Sequence, residues 1–118
     1  MGMTEVSLKI KNPQDPNRQV AEKFLVDSGA AFTVLSKDIV KKLNLKPLYE
    51  REFSLADGKV IKRKIGTAII QFKEEELPSP VVLGEANDSK LLGALTLEIF
   101  GLALDPFERK IYKARLML

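Results

Sequence analysis

The sequence predicts an all-β fold carrying one or two short helices. Short apolar–polar alternations recur along most of the chain, and turn residues punctuate them at close intervals. Only two stretches, after Ser36 and after Leu92, read as helical. At 118 residues the chain can build one domain with a modest core and is too short for two, so residues 1–118 are read as a single domain.

Val6, Leu8 and Ile10 alternate with polar residues and predict a half-buried strand ending at Asn12-Pro13. Asp15-Pro16-Asn17 reads as a turn, and Val20 to Val26 as the returning strand. Phe32 to Leu35 is a short strand. Ser36 then suits the N-cap of a helix over Lys37–Leu43, with Ile39, Val40 and Leu43 on one face and Asn44 as a left-handed stop.

A long hairpin occupies the middle of the chain. Phe53 to Ala56 runs out, Asp57-Gly58 makes a tight turn of the two-residue kind, and Lys59 to Lys64 returns. Ile65 to Phe72 continues that strand, with Gly66 as a bend or bulge. Glu74 to Glu76 reads as a solvated connection, and Pro78 and Pro80 bracket the entry to Val81–Leu83. A second short helix follows Leu92-Gly93 and stops at Gly101. Asp105-Pro106-Phe107-Glu108 turns into a final strand, Lys110 to Leu116. Both helical stretches stop at a residue tolerant of left-handed backbone placed directly before a leucine, an echo between the two halves.

Composition narrows the chemistry. There is no cysteine and no histidine, which removes disulfides, Cys/His zinc sites, Ser-His-Asp triads and cysteine nucleophiles together. Carboxylates are the least forced working groups that remain. Net charge is +3, and the densest basic run, Lys59, Lys62, Arg63 and Lys64, is offset by Glu74-Glu75-Glu76. Without interleaved aromatics that run reads as a solvated hairpin face, with no nucleic acid bound. The longest apolar tract, Leu91 to Leu104, is about fourteen residues and carries Glu98, too short to span a bilayer. No secretory signal is visible at the N-terminus, so a cytoplasmic protein with no membrane partner is expected.

The most informative segment is Phe24-Leu25-Val26-Asp27-Ser28-Gly29-Ala30-Ala31. Three apolar residues that read as a buried strand end at a carboxylate, and Ser-Gly turns the backbone at once. An ordinary turn would use the same tripeptide. Downstream, however, Val81-Val82-Leu83-Gly84, a polar loop and Leu91-Leu92-Gly93 follow in order. Together these resemble the active-site loop and the packing run of the retroviral-type (retropepsin-like) aspartic peptidases, over about Leu25 to Asp105.

The resemblance implies a retropepsin-like closed β-barrel or sandwich with a long flap hairpin. It implies Asp27 as the catalytic carboxylate and Ser28 bonding across a dimer axis. Gly29 would admit substrate backbone beside Ala30 and Ala31, and Ala56-Asp57-Gly58 would form the flap tip. Leu25, Val34 and Leu91 fall where that family lines its side-chain pockets, although plain core positions would look the same. Aspartic peptidases need two carboxylates sharing one proton, about 3 Å apart. Asp27 alone stands in such a motif: Asp15, Asp57, Asp88 and Asp105 read as turn residues and Asp38 as a helix first-turn residue. The implied enzyme is therefore a homodimer acting on polypeptide, with no cofactor and no metal.

The chain departs from viral enzymes, which carry an acidic residue two after the motif Gly paired with an Arg after the downstream Gly. Here these positions are Ala31 and Ala94, a coherent joint loss that points to the prokaryotic cellular branch. Two other readings stand beside the enzyme: a catalytically inactive dimerisation or peptide-binding module of the same fold, and a basic β-domain for nucleic acid.

Overall fold

A computed structural model of the chain describes residues 4–105 and 107–115. Strands β1 (Glu5–Asn12) and β2 (Asp15–Val26) form the first hairpin, with Leu8 and Ile10 facing Phe24 and Val26 in the core. The turn between them is Pro13-Gln14, and Asp15-Pro16-Asn17, read from sequence as the turn, already belongs to β2. The cause is Asn12. Its Oδ1 accepts the Gln14 N–H at 2.7 Å and makes a local side-chain turn, while its Nδ2 donates to Leu43 O at 2.7 Å. One buried amide thus closes the hairpin and satisfies a carbonyl at a helix end.

Strand β3 (Thr33–Leu35) leads into helix α1 (Lys37–Leu43), which buries Ile39 and Leu43. Asp38 in its first turn and Lys41 and Lys42 in its last complement the helix dipole. Ser36 holds the N-cap position with extended backbone but makes no side-chain cap bond. At the far end Asn44 takes φ 54, and Leu45 N–H returns to Val40 O at 3.3 Å.

Strands β4 (Tyr49–Ser54) and β5 (Val60–Phe72) form the long hairpin. Its tip differs from the predicted two-residue turn. Leu55 N–H donates to Lys59 O at 2.7 Å and Gly58 N–H to Leu55 O at 2.9 Å, leaving Ala56-Asp57-Gly58 as a three-residue loop with Gly58 at φ 87. Strand β6 (Glu75–Leu83) pairs with β5 in unbroken register from Phe72↔Glu75 to Lys64↔Leu83, so Gly66 makes no bulge. It lies instead under Lys46 O, which a Cβ would approach to 3.0 Å. The β5–β6 turn is Lys73-Glu74, so Glu75 and Glu76 are strand residues and not a loose connection. Pro78 and Pro80 lie inside β6, below the point where β3 begins to pair at Val81, and so cost no bond on that side.

Strand β7 (Leu91–Leu92) runs parallel to β2 and antiparallel to β3, then enters helix α2 (Ala94–Ile99). The sheet order is β1-β2-β7-β3-β6-β5-β4, and β1 also pairs with β5 through Lys9–Lys11, which folds the sheet back around the core. Strands β8 (Leu102–Asp105) and β9 (Lys110–Lys113) form a separate two-stranded sheet. The end of the predicted last strand, at Leu116, lies outside the described residues. Mostly β with two short helices, the chain has the predicted fold class. The echo between the halves is present in the backbone too: Asn44 (φ 54) and Gly101 (φ 68) are both left-handed and both precede a leucine.

Two glycines allow close backbone approaches to the β3 segment: Gly84 just past β6 and Gly93 where β7 enters α2. A Cβ on Gly84 would run into Leu35 O, and one on Gly93 into Phe32 O, with Thr33 N only 2.8 Å away. Backbone cannot yield as a side chain can. Gly93→Ala and Gly84→Ala are each expected to lower stability in urea titrations by about 3 kcal/mol. Gly58→Ala, which meets no atom within 4 Å, should cost only its left-handed backbone, about 1 kcal/mol.

Candidate active site

Asp27 follows the last residue of β2, where the strand leaves the core. Its backbone N–H donates to Leu92 O at 3.0 Å, and its own carbonyl accepts Ala30 N–H at 3.1 Å. The side chain turns back over the loop, and Oδ1 accepts the Gly29 N–H at 2.9 Å. Asp27 is half-buried: the strand ends at Val26, as the sequence suggests, and Asp27 sits at its rim. Among the described residues no ion pair reaches it. Ser28 and Gly29 are exposed beside it.

The loop is fastened from behind. Ala94 N–H and Leu95 N–H, in the first turn of α2, donate to Ala30 O at 2.7 Å and Ala31 O at 3.0 Å. Helix N–H groups that have no intrahelical partner thus hold the carbonyls of the loop. Beneath this contact runs a buried chain of hydroxyls that sequence reading missed. Gly93 N–H donates to Thr33 Oγ1 at 3.0 Å, Thr33 and Thr96 hydroxyls meet at 2.6 Å, Thr96 meets Ser79 at 2.9 Å, and Ser79 Oγ donates to Pro80 O at 3.1 Å. Because the last proton goes to a carbonyl, the others fall in one direction: Thr33 donates to Thr96 and Thr96 to Ser79. Every oxygen in the chain is satisfied, and among the described residues no buried side-chain polar atom lacks a partner. Isolated Thr and Ser in strand and helix patterns carry no signal of such a meeting, since the three lie far apart in sequence.

On the opposite face of the sheet, register brings four apolar residues into one row. Leu25 lies beside Leu91, Leu91 beside Val34, and Val34 beside Val82. A cleft of about 460 Å³ opens over Leu91, Val34 and Val82, bordered by Gly29, Ala30, Ala31 and Phe32 from the loop and by Phe53, Leu55 and Ile61 from the hairpin. Phe32 and Phe53 touch edge to face, with centroids 5.8 Å apart. Of the residues predicted for substrate, Gly29, Ala30, Ala31, Val34 and Leu91 border the cleft. Leu25 is half-buried at the end of the row, and Ala56, Asp57 and Gly58 stand exposed beyond the cleft at the hairpin tip.

Arg63 and Asp88 border the cleft as well, and for both the sequence reading is corrected. Arg63 is not part of a solvated basic face, nor is Asp88 only a turn residue. Arg63 Nε and Nη2 donate to Asp88 Oδ2 and Oδ1 at 2.7 and 3.1 Å. The signal was present in strand parity: Arg63 shares a face with Ile61 and Ile65, whereas Lys62 and Lys64 point outward, opposite Glu52 and Glu50. The Arg63 hydrogen bonds hold the Asp88 carboxyl below its ordinary range, and the Lys90 ammonium, 2.8 Å from Glu22, does the same for Glu22. Among the described residues no cluster could hold a metal, and no helix is long and apolar enough to cross a membrane.

Residues 17–98 match the family described as "gag-polyprotein putative aspartyl protease". The chain belongs to that family, and its fold is retropepsin-like. Similar solved structures include EIAV protease complexed with the inhibitor HBY-793 (17% identity, 99% of this chain and 94% of that one, TM-score 0.63). The simian foamy virus (mac) protease is similar at 14% identity over 82% of this chain and 94% of its own, with TM-score 0.59. A retropepsin-like aspartic protease from Rickettsia conorii shares 29% identity over 88% of this chain and 85% of its own, with TM-score 0.51. Among curated proteins no match is found.

Two outcomes follow from the charges and the hydroxyls. Carboxyls lowered by folding stabilise the protein above the ordinary carboxyl range and lose that contribution as pH falls through their lowered values. The melting temperature should therefore drop below about pH 4, and the deficit of Asp88→Asn at neutral pH should shrink there. Thr96→Val strands the Thr33 hydroxyl proton and the Ser79 acceptor, and should cost about 2 kcal/mol by chemical denaturation.

Proposed function

We propose that the protein is an aspartic endopeptidase that works as a homodimer, with residues 1–118 of each subunit forming a single retropepsin-like domain. The observation that carries this reading is the setting of Asp27: a half-buried carboxylate, on a loop fastened by β7 and α2, whose next residues, Gly29 to Phe32, border an apolar cleft. Family membership supports it, as does the Gly29 N–H on Asp27 Oδ1, which leaves Oδ2 free of that bond.

In this reading a second Asp27, from a twin subunit, meets the first across a two-fold axis. Two carboxyls so close cannot both ionise, so they share one proton. A water held between them gives a proton to the ionised member as its oxygen attacks the scissile carbonyl. The protonated member donates to the carbonyl oxygen. Collapse of the tetrahedral diol breaks the C–N bond, and the departing nitrogen takes a proton from the dyad. Ser28 bonds across the axis and stiffens the paired loops. Gly29 O accepts a substrate N–H, and Ala56-Asp57-Gly58 closes over the chain from above. The apolar row of Leu25, Leu91 and Val34, with Ala30 and Ala31, receives apolar side chains. The working compartment is taken to be the cytoplasm, and the substrate a polypeptide.

Purified protein is expected to cleave unfolded polypeptide at mildly acid pH and to be blocked by statine-type mimics of the tetrahedral diol. Asp27→Asn should lower the rate by about 10³-fold or more while leaving the melting temperature near that of the parent. Cleavage by Asp27→Asn at the parent rate would assign the chemistry elsewhere. A folded parent that binds peptide in the cleft without cutting it would favour the peptide-binding module.

A further inference from the structure

The cleft is bounded by two walls from distant parts of the chain. One is the projecting hairpin, through Phe53, Ile61 and Arg63; the other is the connection from β6 to β7, through Asp88 and Ser89. Strand β5 keeps β6 as a neighbour only as far as Lys64↔Leu83. Beyond that point, from Arg63 to Val60, its strand partner is β4 alone. A two-stranded ribbon by itself is marginal in water, so what holds this one must act where it leaves the sheet.

Arg63 stands at that point. Its fork closes on Asp88 through two bonds of 2.7 and 3.1 Å, while Nη1 donates to Lys62 O at 2.9 Å and lies 3.8 Å from Glu85 Oε1. Asp88 Oδ2 also accepts the Glu85 N–H at 2.7 Å, so one carboxylate ties its own loop and grips the hairpin. Two residues on, Lys90 binds Glu22 at 2.8 Å and Leu25 N–H donates to Lys90 O at 3.2 Å, anchoring the same loop to the strand that delivers Asp27. The loop is thus fixed at both ends around Ser89, and the hairpin is fixed to the loop.

We infer that Arg63 and Asp88 are positioning residues: their paired forks lock the hairpin stem to the Glu85–Lys90 loop and thereby set the width of the cleft and the size of side chain it accepts. The lock itself stands on geometry; that the occupant is a polypeptide side chain rests on the peptidase reading. Both side chains are mostly shielded (16% and 21% exposed), and the bidentate geometry fixes direction as well as distance. Lysine could keep the charge but not the fork.

The test compares Arg63→Met, Asp88→Asn and Arg63→Lys with the parent, using hydrogen exchange and peptides that differ only in the size of one side chain beside the scissile bond. The stem amides of residues 51–63 should exchange about tenfold faster in the first two variants, with Arg63→Lys between. Preference for the best-sized side chain should fall about tenfold, through KM, with kcat for that peptide within about twofold. Unchanged exchange in variants that remain folded, or unchanged size preference, would overturn the inference. If the parent cuts no peptide, the peptidase reading fails alone, and the exchange comparison still decides whether the lock exists.

Discussion

The close seating of β7 between β2 and β3 is the constraint on which the rest depends. Leu91 and Leu92 supply pairing on both sides, and Gly93 lets the chain turn into α2 against the backbone of Phe32 and Thr33. From that one contact come the bond from Asp27 N–H to Leu92 O, the two bonds from α2 to the loop carbonyls, and the seat of Thr33 under Gly93. A side chain at residue 93 would force these apart together, because all of them are backbone contacts or lie directly behind one.

The loop so held presents a carboxylate with few partners of its own. One oxygen is satisfied by Gly29, the side chain is only half withdrawn from water, and no cation among the described residues balances it. Such a group is stable in a single chain and still accessible to a further partner. The polar interior behind it is closed: each hydroxyl proton has an acceptor, so the loop rests on a support with no loose donor. The loop is backed by this closed support, while the hairpin borders the cleft on the other side.

Much of this was legible in the sequence, for physical reasons that differ by element. Helix α1 was readable to the residue because Ser36, the apolar face and Asn44 are local signals. The run from Val81 through Leu91-Leu92-Gly93 was readable because it resembles the packing run of the retropepsin-like family, and Gly93 does lie against the backbone of Phe32 and Thr33. The first turn was misplaced since Asp15-Pro16-Asn17 has turn chemistry, while the deciding bonds belong to Asn12, one of which reaches Leu43. The hairpin tip came out as three residues in place of two because the Leu55–Lys59 bond sets the closure, and local composition does not reveal it. Arg63 and Asp88 were assigned to surface and turn. Strand parity pointed Arg63 inward, but its partner is 25 residues away and has no sequence mark.

The central claim is that one Asp27 needs another. Cleavage rate per subunit, followed across a dilution series whose monomer and dimer populations are fixed by sedimentation, tests it most directly. The account predicts that the specific rate falls in step with the dimer fraction and vanishes for monomer. A specific rate that stays constant down to fully monomeric protein would contradict it.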